Sequence, residues 1–280
     1  MNPSEDLKVV LMANPTMYYD LEQVRCVRLL ENMALSGNYS VIYLDVPALL
    51  GMVYDDYIKG ENNVSLDDLH QFPEYDKRWY MERDKIFRFM ECLKWINTKL
   101  SKKISIRGIS YEFTELLFPI GDKYSKQKEL VDRFLTIQFE HDRRTHHADY
   151  VEFNEYLEKN EAQLKKDIGD SYDIYKRIVE RRLANENKTY DKMSDYDYHK
   201  FEDFMYSYSK QDADEKAIVY LGPIQMRKEA GVTSFRLLFE NEFSTNQYVV
   251  YNILDDPDHS QIQNLEYEQW KSTTGGGTPQ

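Results

Sequence analysis

Glycine is scarce in this chain, and the glycine-rich loops that bind phosphate groups are missing from its sequence. Only 11 of the 280 residues are glycine, and the three consecutive glycines at 275–277 lie close to the C-terminus. There is no Gly-x-Gly-x-x-Gly fingerprint after a strand. The spacings of a structural zinc site and the nucleophile motifs of known hydrolases are missing as well. The sequence therefore carries none of these common motifs for binding nucleotides or metal ions, and the cofactor stays unknown.

Cysteines and long apolar runs are also rare. The two cysteines, Cys26 and Cys92, each fall within an apolar helical pattern, which is typical of reduced core thiols in a reducing compartment. The first residues, MNPSEDLK, are polar and acidic, unlike a signal peptide. No apolar run approaches the ~18–20 residues that a membrane-spanning helix needs. The sequence therefore predicts a soluble, cytoplasmic or otherwise intracellular protein without a membrane partner.

Acidic residues and tyrosine are abundant. The net charge is −13, and the acidity is concentrated at the two ends, whereas residues 76–216 are highly charged but nearly balanced. An acidic protein is not expected to bind nucleic acid through its overall field, although a local basic groove can still do so. The 23 tyrosines each combine a large apolar body with a polar tip, which suits contacts with protein partners.

Both ends of the chain carry strand patterns. Residues 8–12 and 40–46 read as buried strands, and the apolar spacing over 20–35 predicts a helix between them. Such a strand–helix–strand unit normally forms a right-handed parallel crossover. Further strands are predicted near the other end by β-branched and aromatic runs, at 217–222, 233–241 and 247–254.

The middle of the chain reads as helical. Apolar residues at helical spacing predict helices over 78–100, 123–163 and 172–184, the last two interrupted around Gly169. The predicted fold is therefore mixed α/β, with the terminal strands forming one mixed sheet and a long, charged, mainly helical central region. The predicted division is 1–75 and 217–272 as the α/β core, 76–216 as a helical insertion or lobe, and 273–280 as a disordered tail.

Five residues are candidates for a ligand site at the sheet edge. Asn14 and Thr16 follow the first strand, where the N-terminal amides of a helix can face an anion; alternatively, the turn only ends the strand and caps the helix. Asp45 ends the second strand, where dinucleotide-binding folds place an acid on the ribose hydroxyls. Arg227 and Lys228 lie in a loop framed by glycines, which reads either as a flap over a ligand or as a plain connection.

A second candidate site is a metal site on a helix. Asp142, His146 and Asp149 are spaced i, i+4 and i+7 and therefore share one helical face. Carboxylate and imidazole groups on adjacent turns can bind a divalent cation or act as a proton-transfer pair. The neighbouring Arg143 and Arg144 favour the alternative, a solvated and salt-bridged face.

Two further segments are candidates for contacts with a partner. A basic segment can meet an anion or an acidic partner, or it can be a helix end followed by an edge strand; its residues are Lys99, Lys102, Lys103 and Arg107. An aromatic segment suggests a contact surface, or internal packing against the long helices; its candidate residues are Tyr196, Tyr198, Tyr206 and Tyr208.

Three functions are compatible with these patterns. The first is a non-catalytic interaction or assembly protein that contacts protein partners, or a second copy of itself, through tyrosine-rich surfaces. The second is an α/β transferase or hydrolase that acts on a nucleotide or phosphorylated substrate at the sheet edge. The third is a nucleic-acid-binding module. The sequence favours the first, because catalytic motifs are missing and amphipathic aromatic residues are frequent.

Overall fold

The centre of the molecule is a five-stranded parallel sheet. The structure is a computed structural model that describes residues 7–13, 30–35, 39–65, 68, 83–111, 124–140, 146–184, 193–222, 225–226, 228 and 233–252. The strands are β1 (Val9–Ala13), β2 (Tyr39–Pro47), β3 (Ser105–Ser110), β4 (Lys216–Leu221) and β5 (Tyr248–Asn252). They lie in the order β3-β2-β4-β1-β5, and each pairs with its neighbours in parallel.

Helices account for most of the remaining described chain. Residues 30–35 are helical, and eight longer helices follow in the described ranges. They are α1 (Ala48–Lys59), α2 (Arg83–Asn97), α3 (Ser125–Glu140), α4 (His146–Lys159), α5 (Glu161–Ile168), α6 (Ser171–Ala184), α7 (Met193–Tyr208) and α8 (Phe235–Glu242). None of the helices in these ranges is long and apolar enough to cross a lipid bilayer.

The sheet is buried on both faces, which explains why its strands are continuous apolar runs. Successive side chains of a strand point to opposite faces. In β1, Val10 and Met12 join the core formed with α1 to α6, whereas Val9 and Leu11 join a second core. The second core is built on aromatic side chains of α7 and α8, among them Phe204 and Phe239. The helices α7 and α8 therefore cover one face, and α1 and α2 cover the other.

The predicted mixed α/β class is confirmed, but two details of the predicted sheet are wrong. The described sheet is parallel rather than mixed. The segment predicted as a strand at 233–241 is the helix α8, because Ser234 caps it by accepting a hydrogen bond from Leu237 N–H. Phe235 and Phe239, spaced i and i+4, are both buried. This helix is the crossover that carries the chain from β4 to β5 and keeps the two strands parallel.

The central region contributes a strand as well as helices. β3 lies within residues 76–216 and pairs with β2 as the edge strand of the sheet. The predicted helix over 78–100 corresponds to α2, whose residues Phe89, Met90, Leu93 and Ile96 are buried as its apolar spacing indicated. The single helix predicted over 123–163 is several helices, one of which ends at Lys159. The predicted domain boundaries stay a prediction.

Two glycines allow α1 to lie directly against the sheet. A Cβ atom added at Gly51 of α1 would come within 2.3 Å of the backbone nitrogen of Gly108 in β3. A Cβ atom added at Gly108 would come within 2.5 Å of the carbonyl oxygen of Pro47. Both neighbours are backbone atoms, which cannot rotate out of the way. Any larger residue therefore forces α1 and β3 apart.

Replacing Gly108 by alanine should destabilise the protein by about 3 kcal/mol or more, because overpacking against backbone has no side-chain escape. Urea unfolding measures this change. Ser105→Ala, at the other end of the same strand, is the control and should leave the unfolding midpoint nearly unchanged. Equal midpoints for both variants would contradict the close approach of α1 to β3.

Candidate functional site

The carboxyl ends of the five strands lie along one edge of the sheet. In open α/β folds, ligands bind outside this edge, at the point where the connections leave in opposite directions. Here the connection from β1 passes β4 to reach β2, and the connection from β4 passes β1 to reach β5. The two neighbouring strands β1 and β4 therefore mark the place where the topology predicts a ligand crevice.

A buried ion pair lies at this edge. Asp45 is two residues before the end of β2, and the pairing of Leu44 with Tyr220 places it level with the last residue of β4. Its side chain points to the same face as Val41 and Tyr43, the face that α7 covers. Both carboxylate oxygens of Asp45 accept hydrogen bonds from Lys200 Nζ of α7. The two side chains are only 6% and 3% exposed.

Gln225 is the third member of this cluster. It lies in the connection between β4 and α8, and its Nε2 donates to Asp45 Oδ2 at 3.3 Å. Its backbone carbonyl accepts from the N–H of Arg236, at 3.0 Å, which ties the connection to the first turn of α8. Three separate segments, β2, α7 and the chain after β4, thus meet at one carboxylate.

A second buried carboxylate lies one turn further along α7. Asp203 accepts hydrogen bonds from Arg177 and Arg181 of α6, the former at 3.4 Å, and from the backbone N–H of Tyr111 at 3.3 Å. The side chain has no solvent exposure. Burial raises the pKa of Asp203 from 3.8 to about 6, and the two guanidinium groups limit the rise.

The polar contacts continue along α7 towards the amino edge of the sheet. Ser207 Oγ and Tyr111 Oη lie 2.7 Å apart, and Arg107 donates to the carbonyl oxygen of Ser207 at 3.0 Å. Tyr43 Oη then donates to Gln211 Oε1 at 2.9 Å. A series of buried and half-buried polar groups therefore runs between the sheet and the segment from Lys200 to Gln211.

The helix α7 combines this polar series with aromatic packing on one face. Lys200, Asp203, Phe204 and Ser207 are spaced i, i+3, i+4 and i+7, and all are buried. The neighbouring His199 is also buried, with Nδ1 3.2 Å from Glu202 Oε2. Lys200, Asp203 and Gln225 were not among the residues predicted from the sequence. The sequence did hold a signal for two of them, because Lys200 and Asp203 lie at helical spacing on the same face as Phe204.

Of the five predicted sheet-edge residues, the structure places one in the cluster. That residue is Asp45. Asn14, Thr16 and Arg227 lie outside the described residues, although Ala13, which precedes Asn14, pairs with Leu221 of β4 at the same edge. Lys228 forms an ion pair with Glu240 of α8 at 2.7 Å.

The predicted metal site stays a prediction. Asp142 lies outside the described residues, and so does the side chain of His146, which begins α4. Asp149 is buried in α4. Within the described ranges, no group of three or more His, Cys, Asp or Glu side chains is arranged to hold a metal ion.

Each residue of the basic segment forms an ion pair or a hydrogen bond within the described part of the protein. Lys99 pairs with Glu31 at 2.7 Å, and Lys102 pairs with Glu215 at 3.2 Å. The remaining two bond to polar groups of the protein: Lys103 to the carbonyl oxygen of Lys59 at 2.5 Å, and Arg107 to Ser207 and Tyr43. The segment leads into β3, the edge strand of the described sheet. This position agrees with the interpretation of a helix end followed by an edge strand.

The tyrosines of the aromatic segment are divided between core and surface. Tyr208 packs against Phe204 and Phe243 in the second core, and the ring of Tyr206 packs edge-on against Tyr111. Tyr198 is 44% exposed. The side chain of Tyr196 lies outside the described residues. A role of these residues in partner contacts stays a prediction.

Comparison with known proteins identifies the fold but not a family. No protein-family model matches the chain, and no curated protein matches its sequence significantly. Three solved structures are similar in fold. A protein from Bacillus cereus and a succinoglycan biosynthesis protein are each 12% identical, with TM-scores of 0.58 and 0.57. An erythromycin esterase mutant in its open conformation is 13% identical, with a TM-score of 0.56.

The similarity covers most of this chain and a smaller part of the others. It includes 88% of this chain and 65% of the first two structures, and 89% and 70% for the esterase. At these identities the similarity shows a shared fold. The prediction of a non-catalytic interaction or assembly protein is wrong, because the structures that share this fold include one named as an esterase and one named as a biosynthesis protein. The alternative, an α/β transferase or hydrolase, agrees better with these structures.

The Asp203→Asn variant should have a different pH dependence of stability from the wild type. The folded-state pKa of Asp203 is raised, so the unfolded state releases this proton first as the pH rises from about 4 to 6. The contribution of Asp203 to the free energy of unfolding therefore falls over that range, by up to about 3 kcal/mol. Urea unfolding of both proteins between pH 4 and 7 measures the difference, and a difference independent of pH would contradict the raised pKa.

Proposed function

We propose that the chain is a hydrolase that cleaves an ester bond at the carboxyl edge of its sheet, with Asp45 and Lys200 as the catalytic pair. The observation that carries this proposal is the burial of this ion pair at the edge where α/β folds bind their ligands. A nucleotide or another phosphorylated substrate is a narrower form of the same proposal, in which the ester is a phosphate ester.

The cost of burying the pair supports a chemical role. Removing two charges from water costs several kcal/mol per ion, and well-packed apolar side chains often stabilise a core as well or better. Apart from the polar groups along α7, the second core is aromatic and aliphatic, so apolar residues are compatible with the surroundings. Charged groups held in such a place are common at active sites, where a fixed charge is needed.

The two groups can divide the chemistry of ester hydrolysis between them. Asp45 accepts a proton from a water molecule, whose oxygen attacks the carbonyl carbon. Lys200 donates a hydrogen bond to the oxyanion of the tetrahedral intermediate. The carbon–oxygen bond to the alcohol then breaks, and the departing alkoxide takes the proton from Asp45. One ester and one water give one acid and one alcohol, and both side chains return to their starting state.

The similar structures support an enzyme of this class. One of them is named as an esterase and another as a biosynthesis protein, and both share the fold that carries the Asp45–Lys200 pair in this chain. Partners other than a small substrate have no comparable support. A reducing compartment stays a prediction. Burial raises the pKa of the free thiol of Cys92 to about 12, and a thiol that stays protonated is unreactive.

Replacing Lys200 by methionine should lower kcat/KM for ester hydrolysis by about 100-fold or more, because the oxyanion loses its charged donor. The assay uses p-nitrophenyl acetate, p-nitrophenyl butyrate and p-nitrophenyl phosphate, which separate carboxylic from phosphate esters. Lys210→Met is the matched control just beyond the C-terminal end of α7, since Lys210 pairs with the exposed Asp173. It should retain wild-type activity. Absence of wild-type activity on all three esters contradicts the proposal.

A double variant separates the catalytic role from a structural one. Lys200→Met alone should destabilise the protein by about 3–5 kcal/mol, because Asp45 remains buried without its partner. In Asp45→Asn/Lys200→Met both charges are absent, so most of that stability should return. Activity should not return with it. A double variant that recovers both stability and kcat/KM would show that the pair is only structural.

A further inference from the structure

We propose that Gln225 is a substrate-binding residue whose side-chain oxygen accepts a hydrogen bond from a hydroxyl group of the substrate. The inference rests on the proposed function and narrows it: the ester is one that carries a free hydroxyl near the scissile bond, as partly acylated polyols and sugars do. The Asp45–Lys200 pair alone does not require a hydroxyl group on the substrate, because ester cleavage does not need one.

The orientation of the Gln225 carboxamide is fixed by its neighbour. Its Nε2 donates to Asp45 Oδ2 at 3.3 Å. An ionised carboxylate is an acceptor only, and Lys200 Nζ already donates to both oxygens of Asp45. The amide nitrogen must therefore face Asp45, and the amide oxygen Oε1 must point away from it.

The amide oxygen is a buried acceptor that the rest of the described chain leaves unused. Gln225 is only 5% exposed, and Oε1 is fully buried without a hydrogen-bond partner among the described residues. A buried polar atom normally has a partner, because leaving it unpaired carries the full penalty of removing it from water. Such an atom beside a charged pair is what a binding site shows before its ligand supplies the missing donor.

The chemistry of Gln225 Oε1 and of the neighbouring Lys200 amine indicates which ligand group binds here. Oε1 needs a donor, and a hydroxyl is a donor that can lie beside an ester without adding a charge. A cationic donor is disfavoured, because the charged amine of Lys200 already binds the same carboxylate. Sites built to bind a substrate hydroxyl discriminate strongly against the analogue that lacks it, since the buried polar group then stays unpaired.

The experiment compares a matched pair of esters, 2-hydroxyethyl butyrate and propyl butyrate, in the wild type and in Gln225→Met. Methionine has a similar length and no hydrogen-bonding oxygen. The wild type should prefer the hydroxylated ester in kcat/KM by about 10-fold or more. Gln225→Met should lose this preference, so that its kcat/KM values for the two esters become nearly equal. Gln211→Met is the control, because it makes the same change at the amino edge of the sheet, where Gln211 binds Tyr43 and Glu215, and it should keep the preference.

A binding measurement separates this inference from the proposed function. Saturation-transfer NMR compares the amide analogues N-(2-hydroxyethyl)butanamide and N-propylbutanamide, which test recognition without hydrolysis. A hydroxyl preference in binding that Gln225→Met abolishes supports the role of Gln225 even if no ester is cleaved, in which case only the hydrolase proposal fails. Ester hydrolysis without a hydroxyl preference, or a preference that persists in Gln225→Met, overturns the role of Gln225 and leaves the hydrolase proposal standing.

Discussion

The buried ion pair of Asp45 and Lys200 is the interaction that organises the carboxyl edge of the sheet. It joins β2 to α7 across the second core, and Gln225 adds the chain that leaves β4. A carboxylate in this position needs a charged partner, because leaving it buried and unpaired costs about 3–5 kcal/mol, a large share of the stability of a typical protein. The positions of α7 and of the β4–α8 connection therefore depend on each other through one side chain.

The same helix has two roles along its length. Its aromatic residues pack against α8 and the sheet, with the rings of Phe204 and Phe239 5.8 Å apart, while Lys200, Asp203 and Ser207 contribute to the polar series. Packing of this kind resists small displacements, so the aromatic core holds the polar groups in place. Asp203, bound by Arg177 and Arg181, fixes α7 against α6 at the next turn. A rigid scaffold behind a charged pair is the arrangement that electrostatic catalysis needs.

The fold class and most of the strands could be predicted from the sequence. Strands buried on both faces must be continuous apolar runs, so β1, β2, β4 and β5 could be recognised from composition alone. The helix α8 could not, because Phe235 and Phe239 fit a strand as well as a helix until Ser234 is seen to cap it. The partners of Asp45 were not predictable, since Lys200 and Gln225 are 155 and 180 residues away in the chain. Only the order of the strands brings them together.

The central claim is that Asp45 and Lys200 form a site for a tetrahedral ester intermediate. Butaneboronic acid, which becomes tetrahedral when hydroxide adds to it, tests this claim most directly in an NMR titration of protein with ¹⁵N-labelled lysine. The side-chain resonance of Lys200, assigned with Lys200→Met, should shift and saturate, while that of Lys210 should stay in place. A Lys200 resonance that does not respond, or that moves no more than that of Lys210, would rule out an oxyanion site at this pair.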